Sequence, residues 1–274
     1  MIPERHDRPE PRAHSRSPRT GPAPPSIPEI RIPVEHVQSA FSADSIARQL
    51  LRVRVAAANA AHVYDVLEDM GYPNQALSHE LTALTSGMKL AGPAFTVKGG
   101  VTAERVEADL ETALQMVCSM TGPCIEVRDR ATSFNVAIYG ELSATTAKTH
   151  GAVGALVDGG ARDSGHLIKM GFPVFSRYRS PVEAFGRYMI LKFQVPIYVS
   201  GELTDTVEIK PGDFIFGEED GVLVIPKDLI LSVLHRCEGV KSLEDQARGD
   251  LEWGMIRSKF SNATTVLSEG PSRI

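Results

Sequence analysis

Gly151-Ala152-Val153-Gly154-Ala155-Leu156-Val157-Asp158-Gly159-Gly160-Ala161-Arg162-Asp163 is the stretch on which the reading of this chain turns. Val153 to Val157 is an unbroken apolar run, the pattern of a strand buried on both faces. Asp158-Gly159-Gly160 ends that run with turn chemistry. Just upstream, Leu142 to His150 reads as a helix whose start is marked by Gly140. A helix feeding a buried strand is the unit of α/β folds. In such sheets ligands bind outside the carboxyl ends of the strands, which is where Arg162 and Asp163 fall.

Working outward, the same alternation continues upstream. Phe41 to Ala58 and His62 to Met70 read as helices, the second stopped by Gly71 with Pro73 beyond it. Ala94 to Lys98 is a short strand after the Gly92-Pro93 break. Thr102 to Met120 places Val106, Leu110, Leu114 and Val117 on one helical face. Cys124 to Val127 is a further strand. Downstream, short strands dominate: Phe172 to Phe175, Val195 to Val199, Thr206 to Ile209, Phe214 to Phe216 and Val222 to Ile225. Pro211-Gly212-Asp213 and Glu218-Glu219-Asp220-Gly221 supply turns between them. A last helical region starts near Lys227 and runs past Arg248. The class is α/β with a mixed sheet.

Residues 1–33 differ from everything after them. Proline, arginine and serine dominate there, with too few apolar residues to offset the entropy of ordering. We expect a disordered tail over 1–33 and a single α/β domain with a C-terminal helical region over 34–274. The chain has 274 residues, 42% of them hydrophobic, and a formal net charge of -5, which does not suit a nucleic-acid partner. Its three cysteines, Cys118, Cys124 and Cys237, show no metal or disulfide spacing, so a reducing cytoplasm is expected. No apolar run reaches the roughly 18 residues of a membrane span, and no membrane role is expected.

Walker loops, GxGxxG, GxSxG and HExxH are all absent. The eight histidines are scattered, and His150 and His166 read as surface or structural groups. Lys98, Lys148 and Lys169 could form a Schiff base, but nothing singles one out. What remains is the glycine-dense stretch from Gly140 to Asp163. Gly140 precedes a helix start, so the amides of Glu141, Leu142 and Ser143 are candidate donors to an anion. Arg162 beside Asp163 offers a fork for a carboxylate and a hard oxygen ligand together. The same local pattern also allows Asp163 to cap the next helix and Arg162 to make a surface ion pair.

Gly140-Glu141-Leu142, the Gly151 to Asp163 stretch and Gly171-Phe172-Pro173-Val174-Phe175 occur here in one order. Together with Leu90 to Val97 and Pro211 to Pro226, this pattern resembles the RraA-like family, which includes the 4-hydroxy-4-methyl-2-oxoglutarate / 4-carboxy-4-hydroxy-2-oxoadipate aldolases. The resemblance covers roughly residues 50 to 250. It implies a β/β/α three-layer sandwich of the swivelling-domain type, assembled as a homotrimer or hexamer with interfacial sites. It also implies Mg2+, or Mn2+ or another divalent cation, bound directly by Asp163. Glu141, and Glu244 from a neighbouring chain, would hold the metal's waters, although Glu244 reads equally as an exposed helix carboxylate.

The activity so implied is a metal-dependent lyase that splits a 4-hydroxy-2-oxo acid into pyruvate and a second carbonyl compound. Oxaloacetate decarboxylation would pass through the same enolate. Arg162, Asp163 and Glu141 would be catalytic; Gly140, Glu141, Leu142, Ser143 and Arg162 would hold the substrate. The other implication is a non-catalytic regulator resembling the family's inhibitors of ribonuclease E. Those can keep Arg-Asp while lacking the water-holding acids, and Glu141 favours the enzyme. The Arg179 to Lys192 segment is longer than the family pattern, and Ser143 stands where aldolases often carry an apolar residue.

Overall fold

Side chains alternate across a strand, and here that alternation builds two different cores on the two faces of one sheet. The computed structural model describes residues 58–102, 108–131 and 135–239. The expected tail over 1–33, nearly all of the expected Phe41 to Ala58 helix, the end of the last helical region and Glu244 lie outside them. The elements are α1 (Ala60–Asp69), β1 (Thr82–Ala83), β2 (Leu90–Gly100), α2 (Ala108–Cys118), β3 (Cys124–Arg128), β4 (Ala137–Tyr139) and α3 (Glu141–Thr149). They continue with β5 (Ala152–Ala161), α4 (Ser164–Lys169), β6 (Val174–Arg179), β7 (Met189–Phe193), β8 (Ile197–Ser200), β9 (Thr206–Ile209), β10 (Phe214–Glu218) and β11 (Gly221–Ile225). A 3-10 turn over Lys227–Leu229 leads into α5, residues 230–239.

The main sheet runs β1-β6-β5-β3-β2-β10-β11, with β4 added on β5 and β7 on β2. Strands β2, β3, β5 and β6 are parallel neighbours, as is β4 to β5. The edges are antiparallel. On one face, Phe95, Val97, Ala155, Val157 and Val174 pack against Met116 of α2, Ala144 and Ala147 of α3 and Leu167 of α4. On the other, Ala94, Ile125, Val127, Leu156 and Phe175 meet the β8–β9 hairpin through Ile197, Val199, Val207 and Ile209. Helices, parallel strands and a second β layer thus form the β/β/α sandwich. The outer side of β10–β11 is covered in turn by α1 and α5, through Phe214, Phe216, Leu223, Val63, Leu67 and Val233.

One buried carboxylate ties these layers together. Asp158, 1% exposed, accepts from Arg177 Nε at 2.5 Å and from Ser200 N and Oγ at 2.8 and 2.9 Å. It lies inside β5, because the strand continues to Ala161. The expected strand end at Val157 is therefore corrected by four residues: pairing with β4 and β6 extends the strand through both glycines to Ala161. A side chain at Gly160 would come within 2.6 Å of the Val136 carbonyl and 2.5 Å of the Tyr178 ring, so glycine there lets three strands close up. The three cysteines are free thiols. Among the described residues no helix is long and apolar enough to cross a membrane.

Candidate functional site

With β5 extended, the residues that follow it directly are Arg162 and Asp163. Arg162 continues the pairing with β4 by donating its backbone N–H to the Tyr139 carbonyl at 2.9 Å. Asp163 then takes a left-handed conformation, φ 56° and ψ 30°, one that aspartate tolerates better than most residues. Its carbonyl accepts from the His166 and Leu167 amides at 2.8 and 3.1 Å and so starts α4. Its carboxylate makes no capping bond to that helix. Side-chain capping, the ordinary explanation of this aspartate, is not what the structure contains.

The carboxylate turns instead to α3, where Oδ2 accepts from the Glu141 amide at 3.2 Å. Arg162 Nε lies 3.6 Å from the same oxygen, and Arg162 Nη2 lies 3.6 Å from Glu183 Oε1. These three side chains are 36%, 42% and 56% exposed for Arg162, Asp163 and Glu183, so the group faces solvent. Gly140 is the hinge of the arrangement. A Cβ there would sit 2.9 Å from Asp163 Oδ2 and 3.1 Å from Arg162 Cγ. Its φ of -151° is open to any residue, so the close approach, rather than backbone freedom, demands glycine.

The amide of Glu141 is thus not free for a ligand, which corrects the expectation that three amides at this helix start are available. Leu142 and Ser143 remain, their amides without a hydrogen-bond partner among the described residues. Leu142 is 74% exposed and Ser143 half-buried. The Glu141 side chain accepts from Thr145 Oγ1 at 3.0 Å. Lys148 donates to the Met170 carbonyl at 3.0 Å, away from the pair. His150 is held by its own helix through the Thr146 carbonyl, at 2.9 Å from Nδ1.

Beneath β4 lies a fully buried charged group. Glu126 and Arg128 of β3 pair with Oε1 to Nε and Nη2 at 2.8 and 2.7 Å. Tyr139 donates its hydroxyl to Glu126 Oε2 at 3.1 Å, and Arg128 donates to the Ile138 carbonyl at 2.7 Å. The guanidinium carbon stands 4.9 Å from the centre of the Tyr139 ring. Burial, followed by the Glu126 carboxylate, pushes the Tyr139 phenol well above its usual range and keeps it a donor. Burial works against the Arg128 cation, but Glu126, together with Tyr188 and Tyr139, more than offsets that. The group fixes β4, whose last residue supplies the carbonyl that orients Arg162.

Among the described residues no group of three or more His, Cys, Asp and Glu side chains could cage a metal ion. The donor set is one partly exposed carboxylate, Asp163, with Glu141 on the adjoining helix turn. That fits magnesium, which binds through one or two carboxylates and keeps several waters. It does not fit a zinc site of nitrogen and sulfur ligands. Of the expected site residues, Gly140, Glu141, Arg162 and Asp163 come together, with Leu142 and Ser143 on the same turn; Glu244 lies outside the described residues. Glu183, Glu126, Arg128 and Tyr139 were not anticipated. The only sequence signal for Glu183 was the unusual length of its segment.

Residues 60–224 match the family model of RraA-like proteins, described as Aldolase/RraA, and the chain belongs to that family. It is 33% identical over 175 residues to a protein of Halalkalibacterium halodurans provisionally named a 4-hydroxy-4-methyl-2-oxoglutarate aldolase, covering 61% of this chain and 77% of that one. Protein DlpA of Legionella pneumophila is 27% identical over 190 residues, 69% of this chain but 30% of DlpA, so the chain spans under a third of that relative. A crystal structure described as one of novel cellulases from gut-associated microbes superposes with a TM-score of 0.67 at 32% identity, covering 72% of this chain and 86% of the other. Streptomyces coelicolor RraAS2, a member of the RNase ES inhibitor RraA family, superposes at 0.62 and 24% identity, covering 73% and 96%, and shares the fold.

Proposed function

We propose that the protein is a divalent-metal-dependent lyase that cleaves a 4-hydroxy-2-oxo acid to pyruvate and a second carbonyl compound, and decarboxylates oxaloacetate at the same site. The observation that supports this is the placement of the Asp163 carboxylate: released from capping α4, it sits beside Arg162 at the carboxyl end of β5 and over the start of α3. The aldolase name of the Halalkalibacterium relative agrees with it.

In this reading Arg162 binds the substrate carboxylate, with the Leu142 and Ser143 amides donating to its oxygens, as helix starts do for anions. Asp163 would hold magnesium directly, and Glu141, with Glu244 as a further candidate, would hold its waters. The metal, when bound, supplies Lewis acidity for the charge that develops as the carbon–carbon bond breaks. Glu141 takes up the proton of the distal hydroxyl, and Asp163 is kept in place by the Glu141 amide. A homotrimer or hexamer would bring the C-terminal acids of a neighbour to the site.

The test is pyruvate release from 4-hydroxy-4-methyl-2-oxoglutarate and from oxaloacetate, with magnesium and with excess chelator. Chelator-sensitive pyruvate is expected from at least one. Arg162→Ala and Asp163→Ala are each expected to lower turnover by about 10²–10³-fold, the scale of losing one charge-stabilising contact. Turnover indifferent to chelator, or near wild type in either variant, would overturn the reading. Absence of turnover together with absence of magnesium binding would place the chain with the non-catalytic regulators.

A further inference from the structure

We infer that Glu183 is an internal counter-ion of Arg162 and sets the affinity of the site for carboxylate substrates, which must displace it. This rests on the reading above, in which Arg162 is the carboxylate-binding group.

Glu183 is held in place by its backbone. The Ala137 amide donates to the Val182 carbonyl at 2.8 Å, and Ala137 forms a parallel bridge to Glu183, so residues 182–183 extend the sheet beyond β4. Ser180 Oγ donates to the Asn135 carbonyl at 3.0 Å and accepts from the Val182 amide at 3.2 Å. Arg187 donates to the Glu183 carbonyl at 3.0 Å. β4 lies between residues 182–183 and β5, and this pairing brings the Glu183 carboxylate to Arg162.

The guanidinium is therefore shared. Its Nε faces Asp163 and its Nη2 faces Glu183, each at 3.6 Å. Nε and Nη2 form the edge with which arginine grips a carboxylate in two parallel bonds. Asp163 is also braced by the Glu141 amide. Glu183, 56% exposed, has Arg162 as its side chain's partner among the described residues. A substrate anion that bonds Nη2 displaces Glu183 there, while Asp163, braced by the Glu141 amide, keeps its place beside Nε. Glu183 holds the edge only weakly, since exposed ion pairs contribute about 0.2–1 kcal/mol. That corresponds to about 1.4- to 5-fold in the affinity of whatever competes for the edge.

Pyruvate is the probe, titrated into the magnesium-loaded full chain and followed by ligand-observed NMR. Wild type, Glu183→Gln and Arg162→Ala are compared, with melting temperatures measured alongside. Glu183→Gln keeps the shape and removes the charge, so pyruvate is expected to bind about 1.4- to 5-fold more tightly at unchanged melting temperature. Arg162→Ala is expected to abolish binding. Binding that depends on Arg162 but is unchanged or weaker in Glu183→Gln would overturn the counter-ion and leave the carboxylate site standing. No pyruvate binding by wild type would remove both.

Discussion

The Glu141 amide donates to Asp163 Oδ2 at 3.2 Å across 22 residues of sequence, and that bond joins the start of α3 to the end of β5. It uses a donor that a helix start ordinarily leaves to solvent or to a ligand. It also holds a carboxylate in a fixed direction without neutralising it. Both groups depend on Gly140, which lets them approach.

Gly140→Ala tests this dependence. The backbone at Gly140 is extended and accepts alanine, but the new methyl meets Asp163 Oδ2 at 2.9 Å and Arg162 Cγ at 3.1 Å. Turnover is expected to fall at least about tenfold, because small misplacements of reacting groups are costly. The folded state should lose no more than about 1–3 kcal/mol, the usual range for overpacking. Kinetics and a urea melt on the same preparation check it; unaltered kinetics would show that the pair does not need its present position.

The buried group under β4 makes an energetic prediction. Arg128→Met leaves Glu126 without its cation in a fully buried position. Breaking such a pair costs about 3–5 kcal/mol, whereas replacing both partners with apolar side chains is often neutral. Glu126→Leu combined with Arg128→Met should therefore recover much of the loss seen in Arg128→Met alone, although the Tyr139 hydroxyl then loses its acceptor. A double-mutant cycle on unfolding free energies decides it.

Asp129 gives a pH dependence. Burial holds its carboxyl above the ordinary range, opposed first by the Gly99 amide, which donates to it at 2.7 Å. A raised folded pKa means that the fold favours the neutral acid. Its contribution is complete below the unfolded pKa of about 3.9 and is lost as pH rises through the folded value. Asp129→Asn is neutral at every pH and keeps an acceptor for Gly99. Its melting temperature should exceed that of wild type at pH 7, and the gap should narrow as pH falls towards 4. A gap that widens on acidification would show that the carboxylate is the favoured form.

The thiols should separate by reactivity. Burial, followed by Glu238, pushes Cys237 up to about 11, which leaves about a thousandth of it as thiolate at pH 8. Cys118 is only half-buried. Iodoacetamide at pH 8 should label Cys118 at least about tenfold faster than Cys237, read by peptide mass spectrometry. Equal labelling would mean that α5 opens from α1 on the timescale of the reaction.

Much of this architecture could be read along the chain because single residues carry it. The apolar run from Val153 to Val157 marked the central strand, and Thr206–Ile209 has the limits its pattern predicts. The strand over Met189–Phe193 was not anticipated. It lies on the sheet edge against β2, where Leu191 and Lys192 face solvent and weaken its apolar signal. The reach of β6 beyond Phe175 was hidden for a related reason: Ser176 and Arg177 look like surface residues until Asp158 is found beside Arg177. At the candidate site, the local pattern of Gly140, Arg162 and Asp163 left helix capping and a surface ion pair open, and only the family resemblance singled these residues out. Glu183 was not legible, since only the pairing of its segment with β4 brings it to Arg162.

That pairing has a consequence for how such a site can be altered. The strand end that carries Arg162 and Asp163 is locked from below by Glu126 and Arg128, and almost any change there is felt by the fold. The 180–183 stretch is a graft onto the sheet margin, held by a few hydrogen bonds and exposed at Val182, before Ala184 and the buried Tyr188 return the chain to the core. Selection, or an engineer, can therefore alter the surroundings of Arg162 by changing 180–183 alone, while the groups that would perform the chemistry stay in register.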